Sequence, residues 1–261
     1  KEALITGAFG VAALGAARLY THRRGGIALL GAGILGVLMI RPHIALLAAF
    51  AAILGYAAVR SRTGAAVLSV TKLIVLVVLA VGGAVVVDQT AAFLKLESLG
   101  GEDIGAVQNT TTALTAQGGG AFTPVRVDNP ARYPAALVTV LLRPFPTEAR
   151  STEAMFSAVE GVALAGLVLV SWRRLAALPQ QALRVPYVAF ALTAVLMFGY
   201  AFSVVANFGI LARQRTQILP YLFVLLAIPP RAAPDPTGRA DPSGRRRSGS
   251  RAPTRPAPAP R

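Results

Sequence analysis

Apolar runs of near bilayer-spanning length recur along this chain, separated by short clusters of arginine, and they leave few folds open to it. A helix rises about 1.5 Å per residue, so roughly 20 apolar residues cross the hydrocarbon layer. Ala3 to Tyr20, Val67 to Val87, Ala154 to Trp172 and Val185 to Val205 are of that order. Ile27 to Ile40 and Ile44 to Val59 are shorter, and Arg41-Pro42-His43 separates them. A charge and a proline at mid-bilayer are costly without partners, so this tripeptide predicts the outward turn of a helical hairpin rather than one kinked helix. Ile218 to Ile228 completes a last crossing if its helix begins before Pro220. An apolar share of 54% and a mean hydropathy of +0.59 exceed what a globular domain carries. The expected fold is an all-α polytopic membrane protein of about six transmembrane helices.

Charge placement orients it. The first run stops at Arg18, His22, Arg23 and Arg24, Arg60 and Arg62 precede the fourth with Lys72 near its start, and Arg173-Arg174 follow the fifth. Basic loops beside spans mark the cytoplasmic side, so all these clusters fall on one, cytoplasmic, face of the membrane. The expected division is 1–87 for the first four helices, 88–153 for a large extracytoplasmic loop, 154–230 for the last helices with an outer arginine-bearing turn, and 231–261 for a tail. That tail mixes Arg231, Arg239, Arg245 to Arg247 and further arginines with Pro, Ser, Gly and Ala. It cannot bury enough apolar surface to fold, and it reads as a disordered, solvated cytoplasmic C-terminus, with contact to anionic lipid headgroups as the alternative. The net charge of +15 does not imply nucleic-acid binding, because the tail lacks interleaved aromatic residues and a folded platform.

The residue inventory narrows the chemistry. No cysteine is present, which excludes disulfides, thiol catalysis and cysteine-held metals, and His22 and His43 are too few for a histidine-rich metal site. Neither a metal nor a cofactor is expected. The chain opens on Lys1 and enters an apolar run at once, which is expected of an N-terminally truncated sequence.

Within the large loop, Asp88 to Gly105 fits a short amphipathic helix, and Gln108 to Phe122, with its Thr triplet and Gly118-Gly119-Gly120, reads as a turn-prone segment without helical periodicity. Its backbone N–H groups are suited to an anionic or polyhydroxyl ligand, although a plain connector fits equally. Ala135 to Leu142, bounded by Pro134 and Pro144, is too short to span and predicts a re-entrant or interfacial helix that carries Arg143, Phe145, Glu148 and Arg150 to the outer headgroup level. Arg143 and Arg150 there either serve a ligand or pair with Glu148, Glu153 or lipid phosphates.

Asn207 to Gln217 places Arg213 and Arg215 on the side where positive charge is scarce. On a regular helix the two side chains diverge, whereas in an extended segment they flank one ligand, and guanidinium forks suit phosphate and diphosphate oxygens. Pairing with loop carboxylates such as Asp88, Glu97 or Asp128 is the other reading. Glu160 lies within the span from Ala154, one to two turns below the outer surface, and is either a general base or the partner of an arginine.

Short spans, one large outer loop with amphipathic helices, and the outward Arg143, Arg150, Arg213 and Arg215 resemble the bacterial O-antigen polymerase and ligase group. The phrase from Asn207-Phe208-Gly209 through Arg213-Gln214-Arg215 to Leu219-Pro220 is similar to the stretch before the last span in actinobacterial members. The resemblance implies metal-independent glycosyl transfer from an undecaprenyl-diphosphate-linked glycan, with Arg213 and Arg215 holding diphosphate, Arg143 or Arg150 assisting, and Glu160 as the candidate base. The ligases use an outer histidine that the loop here lacks, His43 being a poor substitute, so polymerase is favoured. The alternative is a non-catalytic transporter or scaffold subunit that binds a lipid-linked glycan or a partner protein through the same loop.

Overall fold

The computed structural model of the chain describes residues 1–58, 73, 77 and 101–229, with the backbone alone for 101–104. Apart from Leu73 and Val77, the expected span Val67 to Val87 lies outside the described residues, as do the cluster Arg60, Arg62 and Lys72, residues 88–100 of the loop and the tail beyond Pro229. Among the described residues the architecture is all-α, and an isolated antiparallel bridge between Ala121 and Asn207 is its one β feature. The helices are α1 (Glu2–Tyr20), α2 (Gly26–Leu38), α3 (Pro42–Ala57), α4 (Gly101–Thr115), α5 (Tyr133–Leu142), α6 (Thr152–Val170), α7 (Trp172–Ala182), α8 (Pro186–Phe202), α9 (Phe208–Arg215) and α10 (Leu219–Ala227). Two of them, α1 and α6, are long and apolar enough to cross a membrane, and α7 with α8, bent by 114°, makes a third crossing if the pair is taken as one span.

The first three helices alternate in direction. Leu30 of α2 lies against Gly15 of α1, and Gly33 of α2 against Ala12, the register of an antiparallel pair. A Cβ on Gly15 would sit 2.2 Å from the Leu30 nitrogen, and one on Gly33 2.4 Å from the Ala12 nitrogen. The two backbones therefore touch directly, as small residues permit where no hydrophobic drive separates helix from lipid. Met39 to Arg41 break the chain before Pro42 starts α3, which returns parallel to α1. An Arg41–Glu2 ion pair of 3.4 Å joins these helices at one end, and at the other the Tyr20 hydroxyl donates to the Ala52 carbonyl at 3.0 Å. The expected hairpin turn at Arg41-Pro42-His43 is thus present.

The central helix is α8, which packs on α3 with Gly55 against Phe190. Phe9 of α1, Phe190 of α8 and Tyr221 of α10 meet edge to face, and the Tyr221 hydroxyl donates to the Phe9 carbonyl at 3.2 Å. α7 was not anticipated as a separate helix. It lies across the end of α6, with Leu175, Leu178 and Ala182 packed on the core and Arg173, Pro179 and Gln180 exposed. Arg174 donates to the Leu226 carbonyl at 2.8 Å, and Gln181 to that of Pro229 at 3.3 Å, tying α7 to the end of α10. α10 itself has nine residues, roughly 14 Å of rise.

The loop departs from expectation in one place. Gln108 to Thr115 is helical, the end of α4, and not turn-prone chain. The reason lies in the threonines, whose helix-lowering tendency comes from hydroxyls that compete for backbone partners. Here those hydroxyls are satisfied within the helix and beyond it. Thr112 donates to Gln108 and Val204 carbonyls at 2.9 Å, and Thr115 donates to that of Thr111 at 2.7 Å while accepting from the Ala206 N–H at 2.9 Å. Tertiary contact with the end of α8 thus stabilises a helix that local propensity disfavours.

Candidate functional site

Asn207 begins the site. Its side-chain oxygen accepts from the Gly209 and Ile210 N–H groups and caps α9, while its amide donates to the Gln117 carbonyl at 2.8 Å. The Phe122 N–H donates to the Ala206 carbonyl and the Phe208 N–H to that of Gly120, so the glycine run is fastened along the start of α9. Because α9 is a regular helix, Arg213 and Arg215 diverge.

Arg215 turns inward and is fully buried. One terminal nitrogen donates to the carbonyls of Leu141 at 2.9 Å and Arg143 at 3.3 Å, and the other to the Glu160 carboxylate at 3.0 Å and the Ser157 carbonyl at 3.5 Å. The last carbonyls of a helix have no partner within it, and Arg215 supplies one to α5 from a different part of the chain. Gly161 makes the join possible, since a Cβ there would lie 2.3 Å from the Leu142 oxygen. Glu160, 45% exposed on its side chain, is engaged with Arg215.

Arg143, at the end of α5, is held differently. It pairs with Glu148 through two nitrogens, and the Phe145 N–H donates to the same carboxylate at 3.0 Å. The Arg143 hydrogen bond, with help from the Phe145 N–H and against partial burial, holds the Glu148 carboxyl below its ordinary range. The guanidinium lies 4.5 Å from the Phe122 ring centre and 5.3 Å from that of Phe208, and these two rings stack at 4.3 Å. Cation–π contact of this kind adds to the ion pair. Arg143 is therefore committed to Glu148 and the aromatic stack.

What remains open is a cleft of about 810 Å³ beside this stack. It is lined by Gly119 and Gly120 of the glycine run, by Asn207, Phe208, Gly209 and Arg213 at α9, and by Glu148, Arg150, Ser151, Glu153 and Ser157 before and within α6. The first turns of α6 and α9 both border it, and the amide ends of helices carry partial positive charge. Ser151 caps α6 by accepting from the Ala154 N–H at 3.2 Å, which sets Arg150 just before the helix and Glu153 in its first turn. Arg213 bonds the Gly209 carbonyl of its own helix at 3.0 Å, and Arg150 forms no ion pair among the described residues. The cleft therefore suits an anion bearing polar substituents. No group of three or more metal-ligating side chains occurs among the described residues.

Of the five residues singled out from the sequence, Arg150 and Arg213 share the cleft, Arg215 and Glu160 pair behind it, and Arg143 lies in the aromatic stack. In the sequence Phe122, Asn207 and Phe208 stand out only as parts of longer segments, and Glu153 only as a partner for Arg143 or Arg150; none is marked there as a site residue. The aromatic of Ala121-Phe122 and that of Asn207-Phe208 hint at a pairing, but only the bridge between segments 86 residues apart reveals it. Comparison of the chain with protein-family models, curated proteins and solved structures gives no match.

Proposed function

We propose that this is an integral membrane protein of cell-envelope polysaccharide assembly, in which the cleft between α6, α9 and the glycine run holds the diphosphate of a lipid-linked glycan during glycosyl transfer. The observation that carries the reading is the convergence of Arg150 and Arg213, two helix amino ends and the Gly119-Gly120 backbone on one cleft of about 810 Å³. Guanidinium groups fork onto diphosphate oxygens, and helix amino ends favour the same charge. Their task in the reaction is to stabilise the leaving diphosphate as the sugar departs. Arg215 and Glu160 serve the reading indirectly, by fixing the end of α5 and hence Arg143.

The membrane frame that goes with it places the cleft outside a bacterial inner membrane and the C-terminus in the cytoplasm. In support, Glu2 and Arg41 pair at one end of α1 and Arg18 lies at the other, and Arg173 and Arg174 follow the end of α6 opposite the turn that lines the cleft. The substitutions Arg150→Ala and Arg213→Ala test the function. Each is expected to abolish extension of the glycan ladder while membrane insertion and abundance stay normal. A scaffold that merely binds a partner loses assembly or abundance instead, and full extension in both variants refutes the enzyme.

A further inference from the structure

We infer that Glu153 is the general base of this transfer, the group that takes the proton of the acceptor hydroxyl; the inference rests on the glycosyl-transfer reading above. Five acidic side chains are described, and four of them are occupied. Glu2 pairs with Arg41, Asp128 with Arg132, Glu148 with Arg143 and Glu160 with Arg215. Glu153 forms no ion pair among the described residues, is exposed, and lines the cleft that Arg150 and Arg213 also line. A carboxylate left free in a cleft that two guanidinium groups also line is matched to a reaction that needs charge of both signs. The arginines take the leaving diphosphate, and the carboxylate takes a proton from the incoming group.

The step balances without any further reagent. The acceptor oxygen forms a bond to the anomeric carbon, the bond from that carbon to the diphosphate oxygen breaks, the bonding pair leaves with the diphosphate, and the hydroxyl proton passes to Glu153. General bases of this kind contribute about 10²–10⁴ in rate. Ser157 follows Glu153 by one helical turn and also lines the cleft, which gives the acceptor a hydroxyl to bond on the same face of α6. Glu153 alternatively serves only as an acidic first-turn residue that complements the helix dipole. The two roles differ in what they move.

The test uses the full chain reconstituted in lipid vesicles, with binding of undecaprenyl diphosphate and extension of membrane-derived lipid-linked glycan measured side by side. Glu153→Gln is expected to slow extension by about 100-fold or more with diphosphate affinity unchanged. Glu153→Asp is expected to retain measurable extension, which keeps the inference testable should the glutamine variant fold poorly. Wild-type rates in Glu153→Gln, or parallel loss of diphosphate binding and extension in both variants, overturn it while leaving the cleft's function intact. A wild-type protein that neither binds undecaprenyl diphosphate nor extends glycan overturns the glycosyl-transfer reading, and this inference with it.

Discussion

Arg215→Met removes a buried guanidinium while keeping an apolar side chain of similar reach, and its cost follows from the bonds lost. The Leu141 carbonyl, bonded at 2.9 Å, is left without this partner, and an unsatisfied buried acceptor costs about 1–3 kcal/mol. The bond to Glu160 at 3.0 Å is charge-assisted, of about 1.5–3 kcal/mol, but the carboxylate's 45% exposure reduces what its loss costs. The contacts to Arg143 at 3.3 Å and Ser157 at 3.5 Å are too long to add much. A total of about 2–4 kcal/mol results. At about 2–4 °C per kcal/mol, the midpoint of thermal unfolding in detergent falls by roughly 4–16 °C. Arg215→Lys recovers only part, because an ammonium cannot fork between Leu141 and Glu160. A double-mutant cycle with Glu160→Gln is expected to show coupling of about 0.5–3 kcal/mol. Unchanged thermal stability in Arg215→Met combined with lost glycan extension would refute the structural role, and would make Arg215 a ligand-binding residue.

Gly33→Val forces α2 away from Ala12 and is expected to lower the yield of folded protein, whereas Gly31→Ala, with open space at its Cβ, is expected to leave it unchanged; size-exclusion profiles in detergent distinguish them. The Glu148 carboxyl has a folded pKa below its ordinary 4.5, so the pair with Arg143 contributes stability that is present above pH 4.5 and is lost as the pH falls below it through the depressed value. Unfolding midpoints measured from pH 7 downward are expected to drop more steeply in the wild type than in Glu148→Gln. Because the chain has no native cysteine, single cysteines at Gly119, Arg150 and Gly209 are expected to react with an impermeant maleimide in intact cells, and one at Arg245 is not. Labelling at position 245 alone contradicts the proposed orientation.

The parts of the fold legible in the sequence are those set by local pattern. The apolar run to Tyr20, the break at Arg41-Pro42 and the short helix between Pro134 and Pro144 each follow from hydropathy and proline within a few residues. α7 escaped because its leucines are diluted by Arg173, Arg174 and Gln180, so its amphipathic face is lost beside two stronger apolar runs. The helical end of α4 escaped because its threonines depend on Val204 and Ala206. At the site, the divergence of Arg213 and Arg215 followed from helical spacing once α9 was known to be regular. The burial of Arg215 did not, since it depends on carbonyls more than 70 residues away. Residue type pointed to arginines as ligands, but only packing separates those that hold the chain together from those that face the cleft.

On the proposed function, Arg150 and Arg213 hold diphosphate in this cleft. Equilibrium binding of undecaprenyl diphosphate to the detergent-solubilised protein tests it, with Arg150→Ala and Arg213→Ala beside the wild type. A charge-assisted bond of about 1.5–3 kcal/mol at each arginine corresponds to roughly 10- to 150-fold weaker binding in each variant. Affinity in the two variants equal to that of the wild type, or no binding by the wild type at all, contradicts it.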